Sequence, residues 1–371
     1  MRILLYTSSR AWTGSARAFE AAAHGLAGRE HRVTFVCPPE SEVEQRLRYG
    51  SYEALPVAES GSFLFAVWRL RRVLTERKVD VIFTTTESEH LAALAAARSP
   101  VRTVLVRRVA HGAASGGGWR SSVAARFGAP MMMAGSDDEA NLLRTRFTRA
   151  VTAIVPLGVD VFAADAVRPI ARSSFGIEGD GGLIACVYDP SARTRVASVL
   201  RVLGRLAPRH PELRMVLIGH GSTDEDLRMH AAALRITRAV SFLGQRDDHL
   251  AVLRAADLGW VVAGGDDAAF GMLDLMALKV PVIAERSSLS RQYVADGIAG
   301  LLLPFDDAGD TAAAVARLLA QVEERAAMGS AGRTRAARDF GEVAMVDGFE
   351  RAAEAALEHA EPAPMLRREP A

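Results

Sequence analysis

Short apolar runs alternate with amphipathic stretches along the first half of the chain. "RILLYT" (2–7) precedes a helical pattern near 15–27, "RVTFVC" (32–37) one at 40–48, and "VDVIFTT" (79–85) one at 88–97. Strands alternating with helices predict right-handed βαβ crossovers and a parallel sheet, because a parallel neighbour is reached only through a long crossover. Further strand-like runs lie at "TVLV" (103–106), "PMMMAGS" (130–136) and "AIVPLGV" (153–159). At Ser136, "SDDE" has the spacing of a capping box, with Glu139 three residues on, and starts a helix after its strand.

Between 160 and 182 the periodicity lapses into Pro, Gly, Ser and charge, which suits a connection between domains. The alternation then restarts with "GLIACVY" (182–188), "RMVLIG" (214–219), "AVSFLG" (239–244), "LGWVVAG" (258–264), "VPVIAE" (280–285) and "GLLLPF" (300–305). A long amphipathic stretch from 307 to 359 follows, with a break expected near "RDFGEV" (338–343). The pattern predicts an α/β protein of two doubly wound, Rossmann-like domains. Their expected extents are 1–165 and 166–340, with a helix at 341–360 crossing back to the first and a Pro-rich, charged tail at 361–371 expected to be disordered. Ligands of such sheets bind at the carboxyl ends of the strands, here expected in the cleft between the domains.

A length of 371 residues suits two domains of about 150 to 200 residues. With 49% hydrophobic residues, 24% charged residues and a net charge of +1, the chain has no bulk attraction for nucleic acid. Any charged ligand must be met locally. Cys37 and Cys186 lie far apart in apolar runs, which suits buried free thiols in a cytoplasmic protein rather than a disulfide or metal cluster. No signal peptide is expected ahead of "MRILLYTSS", and no run approaches the roughly 18 to 20 apolar residues of a membrane span.

Three stretches carry candidate chemistry. "SSRAWTGSARAFEAAAHGL" (8–26) follows the first strand and opens a helix; Gly14 lets backbone approach a ligand, although a plain βα turn would read the same. "LIGHGSTDEDL" (217–227) runs from a strand into Gly219-His220-Gly221 and a capped helix start, a turn that can hold a nucleotide. In "GGDDAAFGMLDLMALKVPVIA" (264–284), a helix entered beside Phe270 and Gly271 would carry Asp274 in its first turn, with Asp266 on the loop before it. Carboxylates there can accept hydrogen bonds from sugar or ribose hydroxyls while the helix amides meet a diphosphate; they can equally be caps that favour the helix dipole.

"DLMALKVPVIA" resembles the sequence that follows the Glu-x7-Glu motif in family 4, or group 1, glycosyltransferases of the GT-B fold, with Asp266 and Asp274 in the places of the two glutamates. "VLIGHGSTDEDLRMHAAALRI" (216–236), "VSFLGQRDDHLAVLRAADLGW" (240–260), "VADGIAGLLLPFDD" (294–307), "AGSDDEANLL" (134–143) and "IVPLGVD" (154–160) are similar to the same family. The resemblance implies two Rossmann-like domains facing across a cleft and retaining transfer of a sugar from a nucleoside-diphosphate sugar to a glycan, lipid-linked or small-molecule acceptor, with no metal or other cofactor. It implies a role in envelope or exopolysaccharide synthesis. Asp274 would bind ribose, Asp266 the donor sugar, and the backbone of Phe270, Gly271, Met272 and Leu273 the diphosphate, with Gly219 and Gly221 in the nucleotide turn. Gly14 would approach the diphosphate from the acceptor-side domain.

Several positions depart from the family pattern. Where a Gly-Arg and a Lys-Gly are usual, this chain has "CVYDPSARTR" (186–195), leaving Arg193 or Arg195 to replace the Lys. Both glutamates are shortened by about 1.5 Å, and an expected Gly-Gly and Glu are replaced by Ser288-Leu289 and Gln292. Where the family commonly places a His after the fourth strand, "VLVRRVAHGAASGGGWR" (104–120) offers Arg107 or Arg108, with Arg108 preferred as a substrate-facing cation. His111 follows, as a site residue or a surface loop residue, and Trp119 could stack on a sugar. "SFLFAVWRLRRVLTERK" (62–78) predicts a helix carrying Phe, Trp and Arg, suited to peripheral docking at the inner face of the cell membrane or to packing on the sheet with its Arg face in solvent. Fewer fixed donors and cations leave a catalytically silent module that binds a nucleotide-sugar or a partner as one alternative, and a GT-B epimerase of a nucleotide-sugar as another.

Overall fold

A computed structural model of the chain describes residues 1–57, 63–98, 101–113, 131–148, 150–177, 181–189, 192–219, 225–305 and 307–360. Contacts divide it into two compact units, Met1–Pro156 with Met345–Ala371, and Leu157–Ala344.

The first unit holds a seven-stranded sheet in the order β3-β2-β1-β4-β5-β6-β7. Its strands are Arg2–Tyr6 (β1), Arg32–Cys37 (β2), Glu53–Pro56 (β3), Val81–Thr84 (β4), Val104–Arg108 (β5), Met131–Ala134 (β6) and Val151–Ile154 (β7), and every neighbouring pair is parallel. The two-residue period sends alternate side chains to opposite layers. Leu4, Ile82, Leu105 and Met132 meet Leu70 and Leu74 of the helix Phe63–Glu76, Ala93 of Glu87–Ala96 and Leu143 of Asp137–Arg146. On the other face, Phe19 of the helix Gly14–Ala27 stands edge-on to Phe35 at 6.3 Å, and Phe349 lies 6.1 Å from Phe19 and 5.3 Å from Phe83. Phe349 belongs to the last helix, Glu342–His359, which is also tied by Arg29 to Asp347 and Glu350. The edge strand β3 has no counterpart in the sequence reading. Its four residues, half-buried or exposed and ending in Pro, offer no period to detect.

The second unit holds a six-stranded sheet in the order β10-β9-β8-β11-β12-β13, again all parallel. Its strands are Leu183–Tyr188 (β8), Arg214–Ile218 (β9), Val240–Gly244 (β10), Leu258–Val262 (β11), Val282–Glu285 (β12) and Gly300–Leu303 (β13). Trp260, fully buried on the central β11, packs against Phe305 at 5.6 Å. The stretch read as an interdomain connection is built onto this unit. Ile170 donates a backbone hydrogen bond to Ala251 O at 3.1 Å, and Arg172 reaches Asp257 at 2.6 Å. Polar side chains can fix a segment by specific pairs without periodicity, so the lapse marked a change of chemistry rather than an absence of structure. The expected long amphipathic stretch is three helices, Ala308–Ala320, Val322–Asp339 and Glu342–His359. It breaks at Phe340-Gly341 as read, and also at Gln321.

Cys37 and Cys186 are buried free thiols, each pushed up to about 12 by burial. Among the described residues, no helix is long and apolar enough to cross a membrane. The tail at 361–371 lies outside the described residues.

Candidate functional site

The helix Gly265–Ala277 follows β11 and carries both acids of the sequence motif. It begins earlier than the sequence reading placed it, because Gly264 and Gly265, rather than Phe270 and Gly271, make the turn. Gly265 takes φ of 57°, a left-handed conformation open to glycine at little cost. Asp266 therefore sits inside the first turn and Asp274 more than two turns further on. Phe270, Gly271, Met272 and Leu273 lie mid-helix, where backbone amides are committed to carbonyls one turn back. The amides facing out of the helix start belong to Gly265, Asp266 and Asp267, ahead of the first bond from Ala268 N to Gly264 O.

From Asp266 to Ala277 every residue but Asp267 is buried, as in a helix covered on nearly all sides. Gly271 allows the close approach: a Cβ there would stand 3.3 Å from Val187 and 3.4 Å from Val261. Asp266, Phe270 and Asp274 stand four residues apart in turn and form one stripe. Asp266 is 3% exposed and Asp274 6%. Two buried carboxylates on an apolar helix require polar company. For Asp274 this includes His249, whose Nε2 lies 4.0 Å from Oδ2. His249 opens the helix His249–Arg254 after β10.

The opposite flank, about 160 to 200° round the helix axis, is formed by Ala268 and Met272. It borders a cavity of about 160 Å³ at the carboxyl ends of β11 and β12, lined also by Arg195, Gly264, Glu285, Ser287 and Ser290. Arg195 pairs with Glu285 at 3.1 Å, whereas Arg193 is turned to Asp226. Asp189, just after β8, accepts a hydrogen bond from Gly264 N at 2.6 Å. The helix has no side-chain cap of its own, so a carboxylate from the neighbouring loop sits on its N-terminus. Ser287 and Ser290 form a reciprocal capping box for Ser288–Tyr293.

Gly219, directly after β9, takes φ of 133°, and a Cβ there would fall 1.9 Å from Tyr188 O. Glycine is required by that approach of the β8 and β9 ends. Gly221 and His220 lie outside the described residues, as does Trp119.

In the first unit, Gly14 is the buried first residue of its helix, whose cap Thr13 accepts from Ala16 N. Arg108 ends β5 with 2% exposure. His111 is 5% exposed, which corrects the surface-loop alternative. Its Nδ1 lies 3.0 Å from Glu139 Oε1, and Glu139 also accepts from Gly112 N and Gly135 N at 3.1 and 3.0 Å. Burial opposes the Glu139 carboxylate, but the His111 hydrogen bond and these amides prevail and hold its pKa below the ordinary 4.5. Ser136 accepts from Glu139 N at 3.2 Å, the first half of the expected capping box. The Glu139 side chain has gone to His111 instead. A Cβ on Gly135 would stand 2.0 Å from the His111 ring, so glycine makes room for the imidazole. The sequence contains the signal for this arrangement in Ser-x-x-Glu after "HG", but only the sheet brings the two stretches together.

Residues 167–335 match the family model described as Glycosyl transferases group 1, and residues 12–161 the one described as Glycosyltransferase Family 4. The chain belongs to the group 1, family 4 glycosyltransferases. Its two parallel sheets with flanking helices are those of the GT-B fold. Among similar proteins of this family, a phosphatidyl-myo-inositol mannosyltransferase of Mycolicibacterium smegmatis is 34% identical over 175 residues, 46% of this chain and 44% of that protein. The chain therefore spans less than half the length of that relative. The GDP-mannose-dependent alpha-(1-6)-phosphatidylinositol monomannoside mannosyltransferase of the same organism is 28% identical over 71% of this chain and 74% of its own. The solved structure of Anabaena HepE in complex with UDP has a TM-score of 0.78 and 16% identity, over 96% of this chain and 100% of that one, a likeness of fold.

Proposed function

We propose that the chain is a retaining glycosyltransferase that moves a sugar, without a metal, from a nucleoside-diphosphate donor to a glycan, lipid-linked or small-molecule acceptor in envelope or exopolysaccharide synthesis. The observation that carries this reading is the buried stripe Asp266–Phe270–Asp274 beside His249. In it, Asp274 accepts from the ribose hydroxyls and Asp266 from the donor sugar, since fixed, desolvated acceptors select hydroxyl groups strongly. The leaving diphosphate gains charge and is met by the amides of Gly265 to Asp267 and by Arg195, with Gly219 and Gly221 at the nucleotide. Arg108 and His111 face substrate from the first unit. The relatives' names support a lipid or polyol acceptor. Exposed Phe63, Leu64 and Trp68, with Arg72 on the same helix, support peripheral attachment to a membrane.

Incubation with a panel of nucleotide-sugars and polyol or lipid acceptors, followed by mass spectrometry, tests this. A glycosylated product that Asp274→Ala abolishes supports it; a donor panel that neither binds nor reacts overturns it. The alternative, a silent nucleotide-sugar-binding module, is favoured by Asp189 on the helix N-terminus and by the engagement of Arg195 with Glu285. Donor binding without transfer or hydrolysis would establish that reading.

A further inference from the structure

In the first unit, Arg107 lies beside Thr84 in the sheet register and is 4% exposed. Its Nε and Nη1 have no hydrogen-bond partner. The carboxylate of Glu87 lies 3.8 Å from Nη2. Glu89, also nearby, is committed: it accepts from Ser8 N and Oγ, Thr85 N and Oγ1, and Thr86 N at 2.7 to 3.0 Å. His90, 1% exposed, adds another buried nitrogen without a partner, Nε2. Its Nδ1 lies 3.3 Å from Thr84 Oγ1. We assign the ring the tautomer in which that hydroxyl donates to Nδ1 and the ring proton sits on Nε2. Burial and the Arg107 charge bring the pKa of His90 down to about 3, so the ring is neutral and Nε2 adds a donor without a second charge.

The cluster thus presents unpaired donors from two neighbouring buried side chains. A second guanidinium, Arg146, adds positive charge. A buried cation with unmatched donors is costly, and its complement is a group with several acceptor oxygens and negative charge. Arg107 is next to last on β5, at the carboxyl edge of the sheet where α/β proteins hold ligands.

We propose that Arg107 and His90 form a subsite for a phosphoryl group carried by the acceptor. The oxyanion site stands on these donors; its role toward the acceptor rests on the transferase reading above. The phosphoryl group can belong to a soluble polyol phosphate or to a phospholipid headgroup.

The full chain is titrated at constant ionic strength with inorganic phosphate, glycerol 3-phosphate, and vesicles with or without phosphatidylinositol, and binding and melting temperature are followed. The wild-type protein is expected to bind a phosphate probe saturably and to melt higher with it. Arg107→Met should bind roughly ten- to hundredfold more weakly, as expected when charge-assisted hydrogen bonds are lost. Arg107→Lys, which keeps the charge and loses the fork, should fall between them. Binding of glycerol 3-phosphate identifies a soluble source; binding only to phosphatidylinositol vesicles identifies a lipid. No binding of any phosphate probe, or equal binding by wild type and both variants, overturns the subsite. Donor binding, measured separately with Asp274→Asn as reference, keeps the two readings apart: its loss in the wild type sinks the transferase, and loss of phosphate binding alone sinks the subsite.

Discussion

The carboxylate of Asp189 accepts a hydrogen bond from the backbone N–H of Gly264 at 2.6 Å, so one strand's loop caps the helix that follows another strand. The group stands where an incoming phosphate would seek amides. Asp189→Ala should lower stability by about 1 kcal/mol, as for loss of an N-cap, and strengthen binding of nucleoside diphosphates. Denaturant unfolding and calorimetry read the two effects. Weaker diphosphate binding in the variant would show that Asp189 assists the ligand instead of competing with it.

The pairing of Asp274 with His249 makes a second prediction. Asp274→Asn keeps the shape of the side chain and removes its charge, and donor affinity should fall roughly ten- to hundredfold through loss of charge-assisted hydrogen bonds to ribose. Circular dichroism should match that of the wild type. His249→Gln should weaken binding less, because that side chain is a third exposed.

Acid should act on the first unit through two groups. Glu139 has a folded pKa below 4.5, so its contribution is present above pH 4.5 and is lost as pH falls from there through the lowered value. The stability gap between wild type and Glu139→Gln should narrow over that range. His90 works higher on the scale. The unfolded ring protonates below 6.5 while the folded ring resists to about 3, so stability falls as pH drops through this interval. His90→Phe should remove about 2 to 3 kcal/mol of the loss seen between pH 7 and 4.5. Urea unfolding at several pH values checks both; parallel profiles for wild type and His90→Phe would count against the assignment.

Gly219→Ala tests the close approach of the β8 and β9 ends. Its Cβ meets the Tyr188 carbonyl at a backbone angle unfavourable to alanine. A loss of about 2 to 4 kcal/mol is expected from strain and displacement together, measurable by denaturant titration. A thermal shift within error of the wild type would mean that the strand ends separate freely.

Strands buried on both faces were legible because apolar runs such as "LLY" in β1 and "LIACVY" in β8 leave little other reading. The helix carrying Asp266 and Asp274 was legible in kind but not in phase. It is apolar on nearly every side, so no amphipathic edge marked its first residue, and the two glycines that start it were read as strand end and loop. Long-range partners were not legible at all. Asp189 and Gly264, His111 and Glu139, and Arg107 and His90 are joined by strand order, which places the ends of crossovers together without leaving a local trace. The departures in "CVYDPSARTR" became informative only once Arg193 and Arg195 were seen to have carboxylate partners.

Phe349 completes the aromatic layer of Phe19 and Phe83, although more than 260 residues of chain separate it from Phe83. During synthesis the ribosome delivers the whole second unit before the residues that seal the first. That face of the amino-terminal sheet must therefore wait covered only in part, by the helix Gly14–Ala27, while the second unit is made. A nascent chain halted before residue 345 would display that face, and a chaperone that captures exposed apolar surface should bind it most strongly at that stage.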